Sequence, residues 1–154
     1  MIGARAAGKT TIGTLLAREL GLDFVDTDIY LQESLALSVA EIVSSEGWPG
    51  FRKRESEILR EVSKPGTVVA TGGGMVLAEE NRKFMRSNGR VLFLSAPPEI
   101  LAARISASPD EGQRPTLTGK SITEEMAEVV SQRAPLYHST ASHTLDAALP
   151  IQDV

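Results

Sequence analysis

The 154-residue chain has no cysteine. Disulfides and thiolate metal sites are excluded, and a reducing, cytoplasmic setting is the expected one. The two histidines, His138 and His143, have no metal-ligand spacing and read as surface or strand residues. Long apolar runs are missing too. The longest, such as "VLFL", are far too short to cross a bilayer, so no membrane role is expected. Excess positive charge is absent: the net charge is −4, which argues against a general nucleic-acid binder. Any anion site must therefore be made locally. No Asn-Lys-x-Asp segment is present, which disfavours a guanine-nucleotide switch.

What is there begins almost at once. "GARAAGKTT", Gly3 to Thr11, fits G-x-x-x-x-G-K-[ST], with Gly3, Gly8, Lys9 and Thr10 at the fixed positions. In that motif backbone N–H groups curl around phosphate oxygens, the lysine reaches the β and γ phosphates, and the hydroxyl ligates Mg²⁺. The helix that follows adds the positive end of its dipole. Its expected apolar face is Ile12, Leu15 and Leu16, with Gly21 as the stop. A strand should precede the motif, and only Met1 and Ile2 stand there, so the first strand is expected to be largely missing.

Short β-rich runs alternate with helical stretches along the rest, which implies an α/β fold with a parallel sheet. "LDFVDTD" is a strand ending in two aspartates, and "TVVATGGG" is a buried strand ending in a glycine turn. "SVAEIVSSEG" opens on a capping box, Ser38 with Glu41, and stops at Gly47. "GFRKRESEILREV" and "EENRKFMRSNG" are helices, "RVLFLSAPPEILAARI" is strand, turn and helix, and "SHTLDA" is a last strand. "SITEEMAEVVSQR" is a helix with a second capping box, Ser121 with Glu124, ending near Arg133. Between these, "SASPDEGQRPTLTGK" is polar and aperiodic, as a functional loop or disorder would be.

Ligands in open α/β sheets bind at the carboxyl ends of the strands. Those ends carry the phosphate loop, Asp26 and Asp28, and Gly72 to Gly74. Asp26 and Asp28 can divide the labour, one near Mg²⁺ and the other on a substrate hydroxyl, although either can also serve as a helix N-cap. Three successive glycines suggest close approach of a ligand to bare backbone. Glu55 shares a helix face with Phe51 and Ile58, so it should be buried and paired, and Arg52 lies one turn away. The pair reads either as a surface ion pair or as a braced guanidinium that clamps a carboxylate. Arg114 is either a solvated loop arginine or one that closes over a transferred phosphate. Arg133 suits a helix-end charge. Trp48 lines a pocket or simply packs.

"GARAAGKT", "FVDTDIYL", "GWPGFRKRE", "VVATGGGMV", "QRPTLTGK" and "QRAPLY" occur in the order and approximate spacing of the shikimate kinase family. The resemblance covers nearly the whole chain. It implies a single P-loop kinase domain over 1–154, built on a five-stranded parallel sheet flanked by helices. A mobile lid would span 106–120, and a substrate-binding helical region about 29–62. It implies transfer of the γ-phosphate of MgATP to the 3-hydroxyl of shikimate by a monomer. Carried onto this sequence, Gly3, Arg5, Gly8, Lys9, Thr10 and Thr11 would hold ATP phosphates, with Thr10 and Asp26 at Mg²⁺. Asp28 would bind shikimate and act as the base. Arg52 and Arg133 would grip its carboxylate, with Glu55 steadying the first, and Gly73 and Gly74 would contact it. Arg104 would pack on adenine and Arg114 would reach the phosphates, with Lys9, Asp28 and Arg114 as the catalytic set. Three departures stand out. Ala6 occupies a position where the family usually has glycine, the first strand is nearly missing, and the C-terminal helix expected after "LDAALPIQDV" is missing too. A gluconate kinase of the same architecture is the rival enzyme, and a nucleotide-gated binding module the rival from another class.

Overall fold

The structure is a computed structural model that describes residues 1–108 and 117–154. Strand β1 (Asp23–Asp26) pairs in parallel with β2 (Thr67–Ala70), and β3 (Leu92–Ser95) pairs in parallel with β4 (His143–Asp146). Between the two pairs runs the segment Met1–Ile2. Its Met1 N donates to Val69 O at 2.5 Å and its Met1 O accepts from Thr71 N at 3.1 Å. On the other side Ile2 N donates to Leu92 O at 2.8 Å, and Leu94 N donates to Ile2 O at 2.9 Å. In place of the expected five-stranded sheet, four strands and residues 1–2 lie side by side in the order β1, β2, residues 1–2, β3 and β4. Its central position is held by two residues, too few for a regular strand, so the sheet divides into two pairs.

Helix α1 (Lys9–Leu20) follows the loop and ends at Gly21 in the left-handed region, φ 63°. Its buried residues are Gly13 and Ala17 rather than the expected Ile12, Leu15 and Leu16, which are half-buried. The reason is close packing: a Cβ on Gly13 would stand 2.6 Å from the Phe24 ring on β1. Helix α2 (Thr27–Leu35) begins directly after β1, capped by the Asp26 carboxylate, which accepts from Asp28 N and Ile29 N. Helix α3 (Val39–Val62) starts with the anticipated Ser38–Glu41 box. It kinks at Gly47 (φ 70°, ψ 175°), where the sequence implied a stop, and resumes with Pro49 in its first new turn. Arg54 spans the kink with two hydrogen bonds to Glu46.

Helices α4 (Glu79–Asn88) and α5 (Pro98–Ala107) match expectation, with Pro98 at the first turn of α5. Helix α6 (Ile122–Thr140) does not end near Arg133. It continues through Pro135 to Thr140. A proline inside a helix removes one backbone hydrogen bond. Burial of Val129, Arg133, Tyr137 and Thr140 along one face outweighs that loss. Three apolar clusters hold the layers together, centred on Leu94, Leu101 and Ile105, on Ile2, Phe93 and Tyr137, and on Leu31, Ile42 and Phe51. Among the described residues no helix is long and apolar enough to cross a membrane.

Candidate active site

The phosphate loop stands at the carboxyl edge of the central strands. Gly3 takes φ 149°, and a Cβ there would lie 2.6 Å from Leu94 O, while Gly8 takes φ 92° as it turns the chain into α1. No side chain caps the start of α1, and no acid lies in its first turn. Its leading N–H groups therefore meet the cleft with the positive end of the helix dipole, a setting made for an anion. Lys9 Nζ donates to Gly3 O at 2.9 Å and to Ala4 O at 2.7 Å, so its charge lies against the loop it serves. Ala6 adopts φ 62°, confirming that this position needs the left-handed region glycine tolerates best. Arg5, Gly8, Lys9, Thr10 and Thr11 all line a cleft of about 610 Å³, with Asp26, Asp28 and Arg104.

Thr10 Oγ1 donates to Asp26 Oδ2 at 2.6 Å at the mouth of this loop. The other oxygen of Asp26 caps α2, so the helix cap and the contact with the phosphate-loop threonine fall on one residue. A hydroxyl and a carboxylate side by side are the hard oxygen donors Mg²⁺ takes alongside phosphate and water. Among the described residues no cluster of three or more His, Asp or Glu forms an all-protein cage.

Next to the cleft lies a smaller cavity of about 60 Å³, lined by Trp48, Phe51, Arg52, Glu55, Gly74 and Arg133 among others. Arg52 Nη1 donates to Glu55 Oε2 at 2.5 Å, and Glu55 is 2% exposed, so this is not a surface ion pair. Burial pushes the Glu55 carboxyl above its ordinary value, with Asp28 adding to the rise and Arg52 opposing it. The Arg52 guanidinium also faces the Trp48 ring at 5.2 Å, so Trp48 both lines the pocket and holds the cation. Arg133 is buried mid-helix rather than at a helix end, and its guanidinium belongs to the same cavity wall.

The glycine turn also makes room for the site's own side chains. None of Gly72, Gly73 and Gly74 has a positive φ. A Cβ on Gly74 would overlap the Arg52 guanidinium, and one on Gly72 would overlap Glu55 Oε1 and approach Asp28 Oδ1 to 2.9 Å. The site's own side chains occupy the space that bare backbone leaves. Arg5, Asp28 and Gly73 line both the cleft and the small cavity. The phosphate loop and the two arginines therefore face one another across a shared wall.

Comparison with known proteins bears on this geometry. The family model described as "Shikimate kinase" matches residues 5–153. The chain belongs to the shikimate kinase family. It is 64% identical over 149 residues to "Shikimate kinase 2" of Syntrophotalea carbinolica, covering 97% of this chain and 87% of that one. It is 57% identical over 150 residues to "Shikimate kinase 2" of Dickeya chrysanthemi, with the same coverage. A solved shikimate kinase from Acinetobacter baumannii in complex with shikimate superposes with a TM-score of 0.87 at 34% identity, over 94% of this chain and 80% of that one. The P-loop kinase class is thereby established.

Of the residues that the shikimate kinase resemblance singled out, all but one fall on these two walls or on the loop beneath them. Arg104 lines the cleft, and its guanidinium donates to Ala6 O at 3.3 Å and to Ala147 O at 2.8 Å. Arg114, with most of the region read as a lid, lies outside the described residues. Sequence reasoning overlooked three side chains that hold the site. Thr27 Oγ1 accepts from Gly72 N at 3.0 Å, Tyr137 Oη donates to Gly73 O at 2.7 Å, and Glu125 accepts from the backbone at Leu117 and Thr118. Tyr137 and Glu125 were traceable by spacing, since Glu125, Val129, Arg133 and Tyr137 recur every fourth residue of α6.

Proposed function

We propose that the chain transfers the γ-phosphate of ATP to the 3-hydroxyl of shikimate, giving shikimate 3-phosphate and ADP on the route to aromatic amino acids. The observation that carries this is Asp28, which stands in the wall common to the phosphate-loop cleft and the two-arginine cavity. A hydroxy acid gripped through its carboxylate by Arg52 and Arg133 presents a hydroxyl to Asp28, with the triphosphate on the far side. Two planar guanidiniums suit a carboxylate, and the small cavity suits a compact ring.

Catalysis is positioning and charge neutralisation. The phosphate loop, the start of α1 and Lys9 hold the β and γ phosphates. Asp28 aligns the attacking hydroxyl and takes its proton as the new oxygen–phosphorus bond forms and the bond to the β-phosphate oxygen breaks. Thr10 and Asp26 would hold Mg²⁺, which neutralises charge on the phosphates when bound. Arg104 fixes the back of the loop through Ala6 and borders the expected adenine position. Gly73 and Gly74 offer backbone to the substrate, and Arg114 is assigned to the ATP phosphates from the resemblance alone. Net negative charge fits an enzyme without nucleic-acid partners, and the family resemblance supports a cytoplasmic monomer.

ADP release measured with shikimate, with gluconate and with no acceptor tests this reading. Only shikimate should sustain turnover, and Lys9→Ala should abolish it. Turnover with gluconate alone would move the assignment to the rival kinase. ADP release independent of any acceptor would support a nucleotide-gated module instead.

A further inference from the structure

Helix α6 carries one buried carboxylate that the reaction above does not use. Glu125 is 7% exposed, and its Oε2 accepts from Leu117 N at 2.9 Å, Thr118 N at 3.2 Å and Thr118 Oγ1 at 3.2 Å. A charge withdrawn from water needs such partners, and here one oxygen gathers all three from a single turn of chain. Neighbouring Glu124 already forms the capping box at the start of α6, so Glu125 is not needed to begin the helix. Both Glu125 and Leu117 line the two-arginine cavity, beside Met126, Val129, Trp48 and Phe51. The wall there combines charged groups that grip a carboxylate with an apolar side that a carbocyclic ring would lie against.

We propose that Glu125 is a positioning residue for the acceptor substrate. By holding the Leu117–Thr118 backbone, it sets Leu117 as the apolar flank of the cavity and so fixes how tightly a ring-shaped hydroxy acid fits. This rests on the kinase reading for its substrate, and on hydrogen bonding alone for the hold on Leu117. Glu125 touches no reacting atom. Its effect belongs in acceptor binding and leaves the ATP side unchanged.

Steady-state kinetics and amide hydrogen exchange on the full chain decide the matter. Glu125→Ala should raise the KM for shikimate about tenfold, as expected for a lost charge-assisted hold, and leave the KM for ATP within about twofold. Glu125→Gln, which keeps a carbonyl acceptor, should recover most of the loss. Leu117→Ala should reproduce the Glu125→Ala defect, and the double variant should be no worse than either. Amide exchange at Leu117 and Thr118 should quicken about tenfold in Glu125→Ala while the middle of α6 stays protected. Equal rises in both KM values, additive single effects, or unchanged exchange would each overturn the proposal. Where Glu125→Ala fails to fold, Glu125→Leu, which keeps the bulk but has no acceptor, takes its place: faster exchange at the same two amides supports the proposal and unchanged exchange overturns it. An unaltered chain that never phosphorylates shikimate sinks the kinase reading, while the exchange rates still judge the hold on Leu117.

Discussion

Arg52 shows how one side chain is built into place from several directions. Glu55 binds its charge from below, Trp48 covers a face, and Gly74 leaves room for the guanidinium where any Cβ would intrude. Gly74→Ala should therefore displace Arg52 and raise the KM for shikimate about tenfold or more, with the KM for ATP little changed, in the same ADP-release assay. Arg52→Lys should weaken shikimate far more than ATP in a titration of each ligand, because an ammonium cannot present a planar fork. Glu55 adds a pH dependence whose sign follows from its raised folded value. The folded chain holds that proton more tightly than the unfolded one. This stabilising share is complete below the ordinary value of 4.5 and fades as pH climbs through the folded value. Urea unfolding across that window should show the slope in the unaltered chain and lose it in Glu55→Gln. The buried pair itself was legible in the sequence, since Glu55 falls on the apolar face and Arg52 lies one turn before it. The crowding at Gly74 was not, because the guanidinium that meets it comes from a helix 22 positions earlier in the chain.

At the level of elements, local signals gave the starts of helices better than their ends. Both capping boxes form as read, because each is a contact among four consecutive residues. The run of α6 through Pro135 was illegible, because tertiary burial of Arg133 and Tyr137 decides it. The phosphate loop was legible in full, down to the strained position. Ala6 at φ 62° invites a paired test with Gly8 at φ 92°. Holding an L-residue left-handed costs roughly 1–2 kcal/mol, whereas glycine loosens the unfolded chain by about 0.4–1 kcal/mol. Ala6→Gly should therefore stabilise by about 0.5 kcal/mol once part of a half-buried methyl is also lost. Gly8→Ala should destabilise by about 1–2 kcal/mol. Urea midpoints at constant slope measure both. Tyr137→Phe removes only the hydroxyl that holds Gly73 O, and should destabilise by about 1 kcal/mol without unfolding α6.

Across the whole molecule, three separately cored layers meet at the carboxyl edge of the strands. Sequence pattern predicted that convergence from topology alone, and the shared wall at Asp28 bears it out. A ligand that binds the folded chain and not the unfolded one should stabilise it by mass action. Shikimate at a hundred times its dissociation constant should add about 2.7 kcal/mol, raising the melting midpoint by roughly 5–10 °C. The same concentration should barely shift Arg52→Lys, which a thermal scan reads directly.

The overlap between Gly74 and Arg52 also carries an evolutionary consequence. Neither position can drift by itself: a larger residue at 74 becomes acceptable only after the guanidinium has left 52, and with it goes the carboxylate grip proposed above. A library randomised at both sites and selected for growth without aromatic supplements should return the two residues only as a couple.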